Sequence, residues 1–321
     1  MAGLLPITVI GAAAGDIILS LPRLPRSGAD QEAKEIDRQI GGSGFNVARA
    51  LVRLQIPVIN GIPVGNGYWG EQITKEMQDL GLEVTLTHSS LDNGWCLAMV
   101  EPDGERSFVS VSGCEVDWST AMLSSIVLPE RGYIYSSGYV MASKSTAILC
   151  NWLLASPYGQ TLLLDFGPRL PEIDSAFLNA LPADRTMLTL NRDEVAILCG
   201  EGDPVAQASR YSSERKITII CRLGSQGTWI CLPYREPEYV AAYKVKVMDT
   251  IGAGDAHSSG MLAGLSQGMS LRDAVELGNR VAAIVVNRSG AAGAPTIKEL
   301  EEFCLNNYFQ TLRLLDFKGR S

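Results

Sequence analysis

The segment DTIGAGDAHSSGM, Asp249 to Met261, sets two aspartates around Gly252, Ala253 and Gly254. These small residues stand directly before a run that reads as a helix. Their unpaired N–H groups and the helix dipole would make an anion site suited to phosphate. Asp255 is the odd member, because a carboxylate beside a phosphate repels it. As a helix cap it would need no other role. The alternative is that Asp255 faces an incoming hydroxyl and takes its proton while the backbone holds the transferring phosphate. Small neighbours would then keep side chains out of the space where two substrates meet.

Two other glycine stretches compete for attention. GGSGFN, Gly41 to Asn46, lets a backbone approach a ligand closely, and Asn46 can both donate and accept, which suits a hydroxyl-rich molecule. The equal alternative is an ordinary turn with Asn46 capping a helix. GNGYWG, Gly65 to Gly70, matches G-x-G-x-x-G, yet it is not in the first strand–helix unit and Asp92 is a poor ribose partner. A tight strand-to-helix turn explains it better. Neither a Walker A sequence nor the protein-kinase set of motifs occurs.

The elements that must position these residues alternate. ITVIGAAAGD is an apolar strand and a small-residue loop; WCLAMVEPDGERSFVSVSG is two strands around a Pro-Asp-Gly turn. GYIYSSGYV, TLLLDFG, RTMLTLN and KITIICR read as further strands. GEQITKEMQDLG reads as a helix stopped by Gly81, and SLRDAVELGNRVAAIVVNRSG as one begun by Ser270 with Asp273. Strand–helix alternation implies a three-layer α/β/α fold with a mainly parallel sheet. Segments near 16–40 and 92–117 break the alternation and are expected to pair as a small β-sheet lid on a single domain spanning 1–321.

Composition narrows the partners. The 321 residues are 46% hydrophobic with a net charge of −8, which disfavours a nucleic-acid surface. Seven scattered cysteines, with no C-x-x-C pair, and only two histidines make a zinc site improbable and fit free thiols in a reducing cytoplasm. No basic region precedes the first apolar run and Asp16 interrupts it, so neither a signal peptide nor a membrane span is expected.

With both ends in hand, the chain resembles the ribokinase-like, or PfkB, family of carbohydrate kinases. GGSGFNVARAL, DGERSF, NRDE, LGSQG and DTIGAGDAHSSGM occur in the family order. The resemblance implies that Asp255 is the base and Gly252, Ala253 and Gly254 the anion hole. It sets Asp16, Gly41, Gly42 and Asn46 against sugar hydroxyls. Asn191, Arg222, Gly224, Ser225, Gly227 and Asn279 fall on the nucleotide side, and Glu194 holds Mg²⁺ through water. Asp249 and Ile251, with carbonyls near Arg288 and Gly290, match a K⁺ site of many members. ATP and Mg²⁺ are the implied cofactors. Gln55, Gly67, Gly167 and His257 depart from the common pattern.

The resulting expectation is ATP-dependent phosphorylation of a primary hydroxyl on a sugar or sugar-like molecule. A nucleoside kinase is the rival, with Phe45, Trp95, Phe108 and Trp118 as an aromatic wall; lid core or a dimer face is the competing role for them and the preferred one, since apolar residues on a small sheet usually seek burial. A non-catalytic sugar or nucleotide sensor is the rival of another class. An apolar outer lid face, read from Leu97, Met99, Phe108 and Val111, would favour a homodimer.

Overall fold

The computed structural model describes residues 3–142, 146–288 and 293–305. Eight strands form the main sheet: β1 (Ile7–Ile10), β4 (Val58–Gly61), β9 (Gly132–Ser137), β10 (Gln160–Asp165), β11 (Thr186–Asn191), β12 (Thr218–Arg222), β13 (Thr228–Cys231) and β14 (Glu238–Val240). Their order is β14-β13-β12-β11-β10-β9-β1-β4. All neighbours from β4 to β12 run parallel, and the hairpin strands β13 and β14 close one edge antiparallel. Such strands are covered on both faces, which is why their sequences are apolar runs without alternation.

Each face has its own core. Tyr135, Leu163 and Ile220 pack with α1 (Ser43–Arg53), α2 (Tyr68–Asp79), α9 (Ala253–Ser266) and α10 (Leu271–Val286). Ile134, Leu164 and Leu190 face the other way. There they meet residues of α3 (Thr120–Ser124), α4 (Gly138–Met141), α5 (Thr146–Leu154), α6 (Ser175–Ala180), α7 (Arg192–Cys199) and α8 (Pro204–Arg215). The small residues of α9 have a packing reason. A Cβ on Gly260 would stand 2.9 Å from the Cα of Gly278, and one on Gly264 2.9 Å from that of Ala274. The two helices therefore lie almost backbone to backbone. Ser270 begins α10 by accepting from the Asp273 N–H, as the sequence predicts.

A second sheet has the order β3-β2-β7-β8, from β2 (Ala14–Ser20), β3 (Lys34–Gly41), β7 (Trp95–Val100) and β8 (Arg106–Val111). The Pro-Asp-Gly hairpin joins β7 to β8. A short pair, β5 (Pro63–Val64) with β6 (Leu86–Thr87), lies apart. GNGYWG is the strand-to-helix turn into α2, and Asp92 is spent accepting from the N–H groups of Trp69 and Gly70 at 3.0 and 2.7 Å. Among the described residues no helix is long and apolar enough to cross a membrane.

Candidate active site

Parallel register brings the polar residues together. Asp165 ends β10 beside Ser137 of β9, and Asn191 ends β11 beside Arg222, the last residue of β12. Ligands of open α/β sheets gather at these carboxyl ends. Helices α1 and α9 bring their N-termini to the same place.

Asp255 lies in the first turn of α9, whose N-cap Gly252 has φ +74°. That left-handed conformation costs a glycine little and lets the turn present its N–H groups. Asp255 is half-buried as a residue, and both oxygens of its carboxylate are held. Ser43 Oγ donates to Oδ1 at 2.6 Å, and Asn46 Nδ2 donates to Oδ2 at 2.9 Å. Ser43 also meets the buried Tyr135 hydroxyl at 2.8 Å. Desolvation raises the Asp255 pKa to about 6, against the lowering effect of these two hydrogen bonds. Asn46 therefore does not cap α1; Gly42 occupies the cap position, without a side-chain hydrogen bond.

Asp16 is half-buried on β2. A Cβ on Gly41 would fall 2.1 Å from Asp16 Oδ2, so the close backbone approach at Gly41 is a real demand. Gly42, with φ +96°, turns the chain from β3 into α1 and would strike Ala12 O at 2.6 Å if it carried a Cβ. Burial pushes the Asp16 pKa to about 6, and Arg49 draws it back. Arg49 itself is anchored on the Ile40 carbonyl and on Glu76, at 2.7 and 3.0 Å.

On the other side, Asn191 and Glu194 form a reciprocal capping box at the start of α7. The capping interpretation of NRDE is thus correct for the asparagine, but the acid is not exposed: Glu194 is 3% accessible. Burial raises its pKa to about 7, with Asp165 adding and Arg222 opposing. Arg222 reaches Asp165 at 3.1 Å and Glu194 at 3.7 Å. Gly224, Ser225 and Gly227 belong to the short turn between β12 and β13. Asn279 accepts from Thr228 Oγ1 at 2.7 Å and donates to the Ala241 carbonyl at 3.1 Å, tying α10 to the antiparallel edge.

Asp249 carries a bidentate pair with Arg106 of β8, both contacts at 3.1 Å, and accepts the Ile251 N–H at 3.0 Å. Arg288 bonds Gly293 O and Glu299 at 2.9 and 2.8 Å; Gly290 lies outside the described residues. His257 is buried between α9 and α10, against Gly278, with Asn279 as the polar side chain that favours its charged form. Burial and Arg222 lower its pKa to about 3.

Ser43, Tyr135 and Asp165 join the site without a motif that marks them as functional. Ser43 sat inside GGSGFN, so its position was visible; the two strand residues carried no signal. The aromatic wall is also corrected. Phe45 and Trp118 are 0% and 2% accessible and belong to the core. Register puts Phe108 opposite Ala98, on the face of the small sheet that holds Asp16 and Cys96. Leu97 and Val109 lie on the reverse face, so Phe108 does not belong to the outer apolar set.

Residues 6–297 match the family described as pfkB family carbohydrate kinase. An uncharacterized sugar kinase, YegV, of Escherichia coli is 38% identical over 92% of both chains. The ribokinase of Thermotoga maritima superposes with a TM-score of 0.80 at 23% identity, covering 94% of this chain and 99% of the other. A fructokinase from Vibrio cholerae, solved with fructose, ADP and a calcium ion, superposes with a TM-score of 0.75 at 21% identity over 94% and 99%. The sheet order is thus that of the ribokinase fold, and the chain belongs to the pfkB family of carbohydrate kinases, phosphotransferases that take an alcohol group as acceptor.

Proposed function

We propose that this kinase transfers the γ-phosphoryl group of ATP to a primary hydroxyl of a sugar or sugar-like molecule. Asp255 is the base and the Gly252–Ala253–Gly254 turn the anion hole. One observation carries the assignment: a carboxylate gripped on both oxygens, in the first turn of a helix that begins in glycines. The substrate hydroxyl oxygen attacks the γ-phosphorus and its proton passes to Asp255. The bond from the γ-phosphorus to the bridging oxygen breaks, and ADP leaves with that electron pair. A pKa of about 6 keeps Asp255 ionised at neutral pH while leaving it more basic than an exposed aspartate. Ser43 and Asn46 orient it.

Asp16, Gly41, Gly42 and Asn46 take the sugar hydroxyls in this reading; the Oδ1 of Asn46 is buried without a partner. Asn191, Arg222, Gly224, Ser225, Gly227 and Asn279 take the nucleotide. The fructose, ADP and calcium of the fructokinase support a sugar, a nucleotide and a divalent cation as occupants. Among the described residues no three His, Cys, Asp or Glu side chains converge on a metal position. Mg²⁺ is commonly held by one or two carboxylates with substrate phosphates and water. Glu194, the carboxylate the family resemblance assigns to this ion through water, fits that demand. The ion would supply charge neutralisation at the phosphates. A K⁺ site at Asp249, Ile251, Arg288 and Gly290 belongs to the same proposal, with Arg106 already on the Asp249 carboxylate.

The small sheet acts as the lid, and its reverse face, where Val109 and Val111 are 50% and 43% exposed, is proposed to pair two copies of the chain. The nucleoside reading is favoured by one residue: Phe108, 56% exposed on the Asp16 face, could stack a base. The cysteines described are free thiols, which suits a reducing cytoplasm.

The test is ADP release with Mg²⁺-ATP, with and without K⁺, across pentoses, ketohexoses, sugar acids, sugar phosphates and nucleosides. Turnover on one free sugar is expected. Turnover on nucleosides alone promotes the Phe108 reading. Silence throughout with ATP bound leaves the sensor.

A further inference from the structure

Arg222 is more than a member of the nucleotide loop. It ends the strand next to Asn191, with the nucleotide-side turn following it. Its guanidinium is divided three ways. Nη2 faces Asp165 at 3.1 Å and Glu194 at 3.7 Å. Nη1 points at the first turn of α9, 2.5 Å from where a Cβ on Gly254 would stand. Nε is buried and has no hydrogen-bond partner. A planar fork with one edge on carboxylates and another against a phosphate-binding turn is a shape that lysine cannot reproduce.

A purely structural ion pair accounts for the first edge alone. It does not explain why the glycine at position 254 leaves room for Nη1. That room makes sense if a further anion shares the guanidinium at Nη1.

Resting on the kinase reading above, we propose that Arg222 is a catalytic residue. Asp165 and Glu194 hold its Nη2, and its Nη1 binds an oxygen of the transferring γ-phosphoryl group at the Gly252–Gly254 turn. Charge builds on those oxygens in the transition state, so the contact strengthens as the reaction proceeds. No bond to Arg222 forms or breaks. Asp165 becomes a positioning residue that acts through the guanidinium it pairs with. Gly254 is fixed for the same reason: a side chain there would displace Nη1.

The proposal separates ATP from ADP. Arg222→Lys keeps a positive charge between Asp165 and Glu194, so the fold should survive. Its kcat should fall on the order of 100-fold while the Kd for ADP changes less than about threefold. The complex with Mg-ADP, aluminium fluoride and sugar should weaken in step with kcat. In Arg222→Met, checked for folding by its circular dichroism, the Kd ratio of ADP to a non-hydrolysable ATP analogue should approach the value for a nucleotide held through its diphosphate alone. A wild type that turns over sugar while Arg222→Lys keeps pace within about twofold overturns this inference alone. Equal losses for ADP and ATP binding, with kcat retained at saturation, also overturn it, since they mark a structural role. A wild type that releases no ADP with any sugar removes the kinase reading and this inference with it.

Discussion

The cradle of Asp255 and the small sheet that carries Asp16 are built from opposite materials. Asp255 hangs on two helices locked to the core: α9 is buried from Ala256 to Ser266, and α1 supplies both donors to the carboxylate. The small sheet has the exposed apolar residues Phe108, Val109 and Val111 and is tied to the Asp255 region by the Arg106–Asp249 pair. Phosphoryl transfer needs its base and anion hole held to within fractions of an ångström. Substrate choice tolerates variation and benefits from movement. On the proposed reading, the difference assigns the reaction type to the core and substrate choice to the sheet above it. It also explains why Asp249 matters to both. It receives Arg106 from the small sheet and the Ile251 N–H from the loop leading to the Gly252–Gly254 turn.

The contrast can be broken most severely at Asp255. Asp255→Asn should lower kcat by roughly 10³-fold or more, since base and orienting functions go together. It should not weaken the fold. The carboxyl pKa is about 6 in the folded chain against 3.8 as reference, so its stabilising effect is complete below pH 3.8 and is lost as pH rises through 6. At pH 8 the ionised group costs the wild type on the order of 1–3 kcal/mol, and calorimetry should find Asp255→Asn at least as stable. An unfolded Asp255→Asn would contradict the claim that the site stores this cost for function.

Gly254→Val comes next. Its side chain would push on Arg222 Nη1, and steady-state kinetics should show a kcat loss of about 100-fold with a smaller change in sugar KM. Arg106→Gln should do the reverse. Releasing the small sheet should raise sugar KM by roughly three- to tenfold, leave kcat less affected, and remove much of the salt dependence of KM, because the ion pair is partly exposed. Val109→Ser should have the least effect on catalysis, with kcat within about twofold of wild type; sedimentation should show weaker self-association if the outer face pairs copies.

The core half of this picture was legible in the sequence because its residues lie in short, local motifs. Asp255, the glycine turn, Asn46 and Glu194 each announce themselves within a dozen residues. Their partners do not. Ser43 meets Asp255 across 212 positions of chain. Asp165 and Tyr135 stand inside apolar strands and become site residues through parallel register alone, which periodicity cannot supply. NRDE illustrates the limit in another way. Its capping pattern was correct, yet burial turns Glu194 from a surface acid into a group titrating near neutrality. In the small sheet the segments that pair were readable, but the division of Phe108 from Leu97 and Val111 depends on which way each strand faces.

The central claim is that Asp255 accepts the substrate proton from a site that raises its pKa. The pH dependence of kcat/KM with one free, non-ionising sugar tests it most directly. Protonated Asp255 cannot act as a base, so the account predicts a plateau above about pH 7 and a break near 6 that persists in Asp16→Asn, the variant that removes the other carboxyl with a pKa of about 6. A profile that stays flat from pH 8 to about 4.5 on a folded enzyme would place the proton elsewhere and remove Asp255 from the role given to it.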